Sequence, residues 1–322
     1  MLLLGVDIGG TKITVCLGDR LGKVLTSQRF PTKPSLGYRY ALERVKQTAA
    51  ELCLEQGLSL RQIKAVGISC PGPLDITKGK LLSPPNLKQW KNLAITANMQ
   101  TAFRKPVFLN NDGNAAALAV YYFGNHGKKN LIYLTASTGM GGGLIIDGRL
   151  VQGLSDTAGE VGHFVIVPGG RRCPCGQRGC FEAYCGGKMF ARYVATQLKK
   201  SRRQSKILTL SGGKWSKIDM EAILKAVIAK DRFALSVWRE FIDKLAQGIG
   251  TLLMVVNPEL VVLGTLAIHA GPVLLNPLRK KLEAYCWSEP RRAKIIASKL
   301  QTQISEKSAL AVAIYGMKIG GH

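Results

Sequence analysis

Two stretches of the chain repeat one pattern, and that duplication constrains the fold more than any other feature. Residues 2–17 and 131–146 each run from an apolar segment through a Gly- and Thr-rich turn into a second apolar segment. The first turn is Asp7-Ile8-Gly9-Gly10-Thr11-Lys12 and the second is Ser137-Thr138-Gly139-Met140-Gly141-Gly142-Gly143. Short apolar runs bounded by glycine read as strands joined by a hairpin turn. The two copies stand too far apart for a solenoid repeat, and their separation suits two halves of related topology.

Helical and strand patterns fill the space between. Residues 40–56, 114–122, 218–229, 234–256 and 308–318 carry helical spacing or helix-forming composition. Residues 65–69, 107–112 and 260–264 read as buried strands. Strands alternating with helices predict an α/β fold, and a chain of 322 residues allows about two domains. The longest apolar stretch, 251–275, is broken by Asn257-Pro258-Glu259, and the first residues lack the basic start of a signal peptide. A cytoplasmic protein that does not enter a membrane is expected.

The chain carries 45 Lys and Arg against 20 Asp and Glu, a net charge of +25. Such a bias raises the question of nucleic acid or another anionic partner. Basic residues outnumber acidic ones by sixteen to six in residues 1–107, fourteen to five in 108–214 and fifteen to nine in 215–322. The excess is thus spread along the chain. Its densest part, Lys199 to Lys217, holds seven basic residues and no acid, and reads as a solvated loop or helix end.

Cys173, Cys175 and Cys180 fall within eight residues, with His163 ten residues upstream. Three thiolates and an imidazole suit a tetrahedral zinc ion, and Gly176 and Gly179 permit the tight turns that would gather the sulfurs. A disulfide is disfavoured by a reducing compartment and by the Cys173/Cys175 spacing. Four protein ligands leave no open position, so the site is expected to be structural. Cys16, Cys53, Cys70 and Cys286 lie in apolar contexts and read as core thiols, and Cys185 is one ligand too many.

The first turn lacks the P-loop spacing but shares its physics. Glycines let backbone N–H groups approach an anion, Thr11 offers a hydroxyl and Lys12 a charge. The matching second turn strengthens this reading, since two such turns can grip a polyphosphate. Asn111-Asp112-Gly113-Asn114 closes a strand and opens a helix. Asp112 there serves either as a helix N-cap or as a general base toward a hydroxyl, and spacing does not separate the two.

Taken together, these residues resemble the ROK family of sugar kinases and related repressors. The resemblance rests on Asp7-Ile8-Gly9-Gly10-Thr11-Lys12, Pro71-Gly72-Pro73, Asn111-Asp112, Thr138-Gly139-Met140-Gly141-Gly142-Gly143 and Gly159-Glu160-Val161-Gly162-His163. Cys173-x-Cys175-Gly176-x-x-Gly179-Cys180-x-Glu182 completes it. It implies the actin-like ATPase (ribonuclease H-like) fold, with two α/β domains around a cleft. Expected boundaries are 1–117 for the first domain and 118–304 for a larger one carrying the zinc loop. A terminal helix at 305–322 is expected to pack back on the first.

By the same resemblance, Asp112 is the base for a sugar 6-hydroxyl, and Asn86, Asn111, Asp112, Glu160, His163 and Glu182 bind the sugar. His163 would also bind zinc. Asp7, Gly9, Gly10, Thr11, Lys12, Thr138, Gly139 and Gly264 would hold ATP, with Mg²⁺ arriving on the nucleotide and Asp7 helping to hold it. Ser137 stands where the family usually has Gly, and Gly264-Thr265 where it often has Gly-Gly. The implied activity is ATP-dependent phosphorylation of a hexose, glucose first, with N-acetylglucosamine or N-acetylmannosamine as the alternative. Polyphosphate is a second candidate donor, and a homodimer is expected. The family's regulators carry a helix-turn-helix segment ahead of the first turn, which here begins at residue 7. The resemblance therefore favours the kinase, and the basic charge becomes background that attracts anionic nucleotide.

Overall fold

The structure, a computed structural model, describes residues 1–201, 203–300 and 303–319. Its strands are β1 (Leu2–Ile8), β2 (Lys12–Asp19), β3 (Val24–Pro31), β4 (Ile63–Cys70), β5 (Leu74–Asp75), β6 (Lys80–Leu81), β7 (Val107–Asn111), β8 (Leu131–Ala136), β9 (Met140–Ile146), β10 (Arg149–Leu150), β11 (Leu260–Leu263) and β12 (Lys294–Ala297). Its helices are α1 (Gly37–Glu55), α2 (Ile95–Phe103), α3 (Asp112–Phe123), α4 (Phe181–Cys185), α5 (Gly187–Ser201), α6 (Lys206–Leu210), α7 (Met220–Ile228), α8 (Arg232–Val256), α9 (Leu266–Ala270), α10 (Pro272–Lys281) and α11 (Ile304–Ile319).

The duplicated pattern becomes two five-stranded sheets of the same order, β3-β2-β1-β4-β7 and β10-β9-β8-β11-β12. In the first, β1 pairs antiparallel with β2 and parallel with β4, which pairs parallel with β7. In the second, β11 pairs parallel with both β8 and β12. This is the mixed α/β architecture that the sequence pattern predicts.

By internal contacts the chain divides into one unit of residues 1–129, 143–159 and 299–322 and another of 130–142 and 160–298. In the first unit, β1, β2 and β4 are almost wholly buried, with α1 and α2 contributing to one apolar core. On the other side α11 lies against β1, β4 and α3. The last three positions of the helix expected at 305–322 lie outside the described residues. In the second unit the long α8 buries Phe233, Trp238, Phe241, Ile249 and Leu253. Asp231 caps it by accepting the Ala234 N–H at 2.7 Å, which satisfies one of the backbone donors left open at a helix start. No helix of the described residues is long and apolar enough to cross a membrane.

The backbone of α11 meets β4 directly. Gly67 has no room for a β-carbon, because one would land on the Ala309 carbonyl and within 2.6 Å of the Ala313 nitrogen. Gly67→Ala is therefore expected to destabilise the protein by about 1–3 kcal/mol, the typical range for overpacking. A thermal midpoint equal to that of the parent protein would contradict this packing.

Candidate functional site

In open α/β sheets, ligands bind beyond the carboxyl ends of the parallel strands. The candidate residues of the first unit collect there. Asp7 stands near the end of β1, Ser69 opposite it on β4, and Asn111 ends β7. The Ser69 hydroxyl donates to Asp7 Oδ1 at 2.7 Å. Burial pushes the Asp7 carboxyl up to about 6, against the hydrogen bonds from Ser69 and Ser305, with the Asp112 and Glu306 charges adding to the rise. Removing a carboxylate from water disfavours its charged form, which sets the direction. Burial, reinforced by the Asp112 and Asp7 charges, holds the neighbouring Cys70 thiol well above its ordinary value. Ser69 and Ser305 carry no sequence signal, because each acts through a contact made only on folding.

The two readings of Asp112 separate here. The helix cap is Asn111, whose side chain accepts the Asn114 N–H at 2.7 Å. Asp112 is the first residue of α3 and is exposed, with Oδ1 accepting the Gly113 N–H at 2.9 Å. Enough protein surrounds the carboxyl that desolvation still raises its pKa above the ordinary value, against the Gly113 and Asp112 backbone N–H groups. A carboxylate with solvent access and raised basicity is what proton removal requires.

The first phosphate-type turn is closed by Gly9 N–H donating to the Lys12 carbonyl at 2.9 Å. Thr32 braces it, its hydroxyl donating to the Gly9 carbonyl at 2.7 Å and its N–H to the Thr11 carbonyl at 3.0 Å. Thr11 and Lys12 are exposed. Asn86 sits against this turn, so that a β-carbon on Gly10 would come within 2.6 Å of the Asn86 β-carbon. Leu87 and Trp90, both buried, anchor the Asn86 segment, and Tyr38 packs edge-on to Trp90 at 5.3 Å.

In the second unit Thr138 and Gly139 follow β8, and Gly264 follows the parallel β11. The Gly264 N–H donates to the Leu134 carbonyl at 2.7 Å. Thr265 next to it has φ 30, and its hydroxyl meets that of Thr135 at 3.0 Å. A β-branched residue rarely adopts such a positive φ. Ser137 N–H donates to the Gly139 carbonyl at 3.0 Å and closes the turn.

Beside this turn lies the cysteine loop. The ligand atoms of His163, Cys173, Cys175 and Cys180 all lie within 4.8 Å of one another. Cys175 Sγ is 3.7 Å from Cys180 Sγ, and Cys173 Sγ is 3.7 Å from His163 Nδ1. All eight cysteines are free thiols. Gly176 and Gly179 take positive φ at the two turns, as the tight path requires. Arg171 pins the loop's start: it stacks on Tyr184 and Tyr193, ring centroids 4.4 and 3.3 Å away, and pairs with Glu240. Glu160 precedes the short helical turn Val161–His163, whose His163 N–H donates to the Glu160 carbonyl at 3.1 Å. Glu182 lies on α4, its Oε2 accepting the Met140 N–H at 2.8 Å.

Comparison with known proteins finds relatives that match along most of the chain. The sequence pattern described as "ROK family" matches residues 3–314. A glucokinase of Thermotoga maritima is 33% identical over 284 residues, 88% of this chain and 87% of that protein. A xylose repressor of Caldicellulosiruptor bescii is 28% identical over 98% of this chain and 78% of its own length. The crystal structure of a ROK family glucokinase from Streptomyces griseus, in complex with glucose and AMPPNP, superposes with a TM-score of 0.81 at 29% identity. That match covers 97% of this chain and 99% of the other.

The half-buried Asp7, its carboxyl desolvated by surrounding protein, makes a testable contribution to stability. Its folded pKa is raised, so folding is unburdened below the unfolded value near 3.8 and bears the charge-burial cost as pH rises through about 6. Asp7→Asn is expected to be more stable than the parent at pH 7 by about 2–3 kcal/mol, taking roughly 1.4 kcal/mol per pKa unit. The difference should vanish below about pH 4. Chemical denaturation across this range checks it; a constant or inverted difference would contradict the burial argument.

Proposed function

The chain belongs to the ROK family, and on that premise we propose that it is an ATP-dependent sugar kinase transferring phosphate to the 6-hydroxyl of glucose. The observation that carries the reading is Asp112: a carboxylate with raised pKa, at the first turn of α3, released from capping duty by Asn111. Asp112 takes the hydroxyl proton as the phosphoryl group arrives. Asn86, Asn111, Glu160, His163 and Glu182 bind the remaining hydroxyls. The turns at Gly9-Gly10-Thr11-Lys12 and Thr138-Gly139 present backbone N–H groups, hydroxyls and one ammonium to the polyphosphate, which brings Mg²⁺ with it. Gly264 lies on the nucleotide side, and Asp7 supports the ion. The glucokinase relatives support glucose as acceptor.

His163, Cys173, Cys175 and Cys180 would hold a structural zinc ion. Tetrahedral Zn–S bonds of about 2.3 Å place two sulfurs roughly 3.8 Å apart. The 3.7 Å between the Cys175 and Cys180 sulfurs fits that spacing. A zinc ion held there would supply rigidity, fixing the His163 imidazole in place.

A second reading is sugar binding without transfer, which the xylose repressor match favours. Turnover separates the two. Across a panel of glucose, mannose, N-acetylglucosamine and N-acetylmannosamine, glucose should give the highest kcat/KM with ATP. Asp112→Asn should lose kcat by about 10²–10⁴-fold while keeping sugar affinity, because only the base is removed. Near-normal kcat in that variant would refute the assignment, and no turnover on any hexose would refute the kinase. The acid limb of kcat should fall as pH drops through the raised Asp112 value.

Metal analysis is expected to find one zinc per chain. Cys175→Ala should lose it and weaken sugar binding by roughly 10–100-fold, the usual effect of disturbing a metal site's support. Wild-type protein free of zinc, yet fully able to bind sugar, would contradict the metal reading.

A further inference from the structure

We propose that Glu182 is a positioning residue for the second phosphate turn in addition to its role toward sugar. The inference rests on reading Thr138-Gly139 as phosphate contacts. Three observations carry it, all within one unit of the chain. First, Glu182 Oε2 accepts the Met140 N–H at 2.8 Å, immediately after the turn. Second, a β-carbon on Gly139 would clash with Glu182 Oε2 and push the carboxylate aside, so the carboxylate lies directly against the turn. Third, the residues that follow Glu182 take up the turn's carbonyls: Gly187 N–H donates to the Ser137 carbonyl at 2.9 Å and Lys188 N–H to that of Thr138 at 3.0 Å.

The turn is therefore held from its N–H side by the Glu182 side chain and from its carbonyl side by the start of α5. Three attachments to one short segment, 182–188, fix where the remaining amides point. Glu182 follows Cys180 by two residues, so the carboxylate that holds the turn sits just after the cysteine loop in the chain. Among the described residues Oε1 makes no hydrogen bond, which leaves it available to a sugar hydroxyl. The first unit repeats the arrangement by contact alone: Gly10 of its turn abuts Asn86. In each unit the glycine of the phosphate turn lies against a sugar-reading side chain.

The chemistry distinguishes positioning from charge. A carboxylate beside a polyphosphate is electrostatically unfavourable, so Glu182 is not there to attract the nucleotide. An amide at the same place would keep the acceptor oxygen for Met140 without the charge. Positioning therefore predicts that Gln rescues what Ala loses.

The test is calorimetric binding of a non-hydrolysable ATP analogue with Mg²⁺ to the zinc-loaded full chain, with no sugar present. Glu182→Ala is expected to weaken this binding about tenfold, and Glu182→Gln to stay within about twofold of the parent, the scale of one charge-assisted hydrogen bond. Analogue binding by Glu182→Ala equal to that of the parent would show that Glu182 serves sugar alone and overturn the proposal. Equal damage from Gln and Ala would do the same. Should the Ala variant fail to fold, Gly139→Ala carries the test: its methyl displaces the carboxylate from Met140 and should weaken the analogue similarly, and unchanged affinity overturns the proposal. A parent protein that binds no analogue refutes the phosphate-turn reading itself, a result separable from the variants' behaviour.

Discussion

The close approach of a glycine turn to a polar side chain is the constraint on which the site depends. Gly10 lies against Asn86 and Gly139 against Glu182, each closer than a β-carbon would allow. A backbone that must present N–H groups to an anion has to be unobstructed, and it also has to be held still. Hairpin turns alone are poor at the second task. Here Thr32 braces the first turn, which abuts Asn86, and Glu182 holds the second. On the proposed reading Asn86 and Glu182 also face the sugar, so rigidity and recognition would draw on the same short segments.

Around that constraint the rest of the architecture falls into place. Parallel strands β1, β4 and β7 deliver Asp7, Ser69 and Asn111 to one sheet edge, and β8 and β11 deliver Thr138, Gly139 and Gly264 to the corresponding edge of the second sheet. Burial of Asp7 and partial enclosure of Asp112 raise both carboxyls. Perturbed groups of this kind cost stability and mark candidate functional positions. The cysteine loop adds a second fixed point. It places Glu182 just after Cys180, and Arg171 locks its base through Tyr184, Tyr193 and Glu240.

Much of this was legible in the sequence, for physical reasons. Apolar runs separated by glycines, met twice in one chain, announce duplicated hairpins, because strand burial and turn geometry are local properties. The Cys173-x-Cys175 and Cys180 spacing announces a compact ligand cluster for the same reason. What the sequence left open is equally instructive. Asn111 and Asp112 are both good cap formers, and only the structure shows that the cap falls on Asn111. Helices α2 and α5 lie outside the helical segments expected from sequence, although α5 repeats apolar residues at helical spacing, with Phe190, Ala191, Val194 and Leu198 buried. Helix α11 begins at Ile304, ahead of the 308 expected from helical spacing and one residue before the 305 that the family resemblance implies. Its Glu306 is buried and accepts the Ser27 hydroxyl at 3.3 Å, a tertiary contact that no periodicity records. The Gly10–Asn86 and Gly139–Glu182 approaches are likewise long-range products of folding.

If phosphate turns and sugar-reading residues are one mechanical piece, the two ligands must feel each other. The most direct measurement is the thermodynamic coupling between glucose and a non-hydrolysable ATP analogue, each titrated in the absence and presence of the other. Linkage requires the two factors to be equal. Each ligand is expected to tighten the other by about five-fold or more, within the range typical of coupled sites. Affinities unchanged by the partner ligand would contradict this, and would mean that the close contacts at Gly10 and Gly139 are packing without consequence.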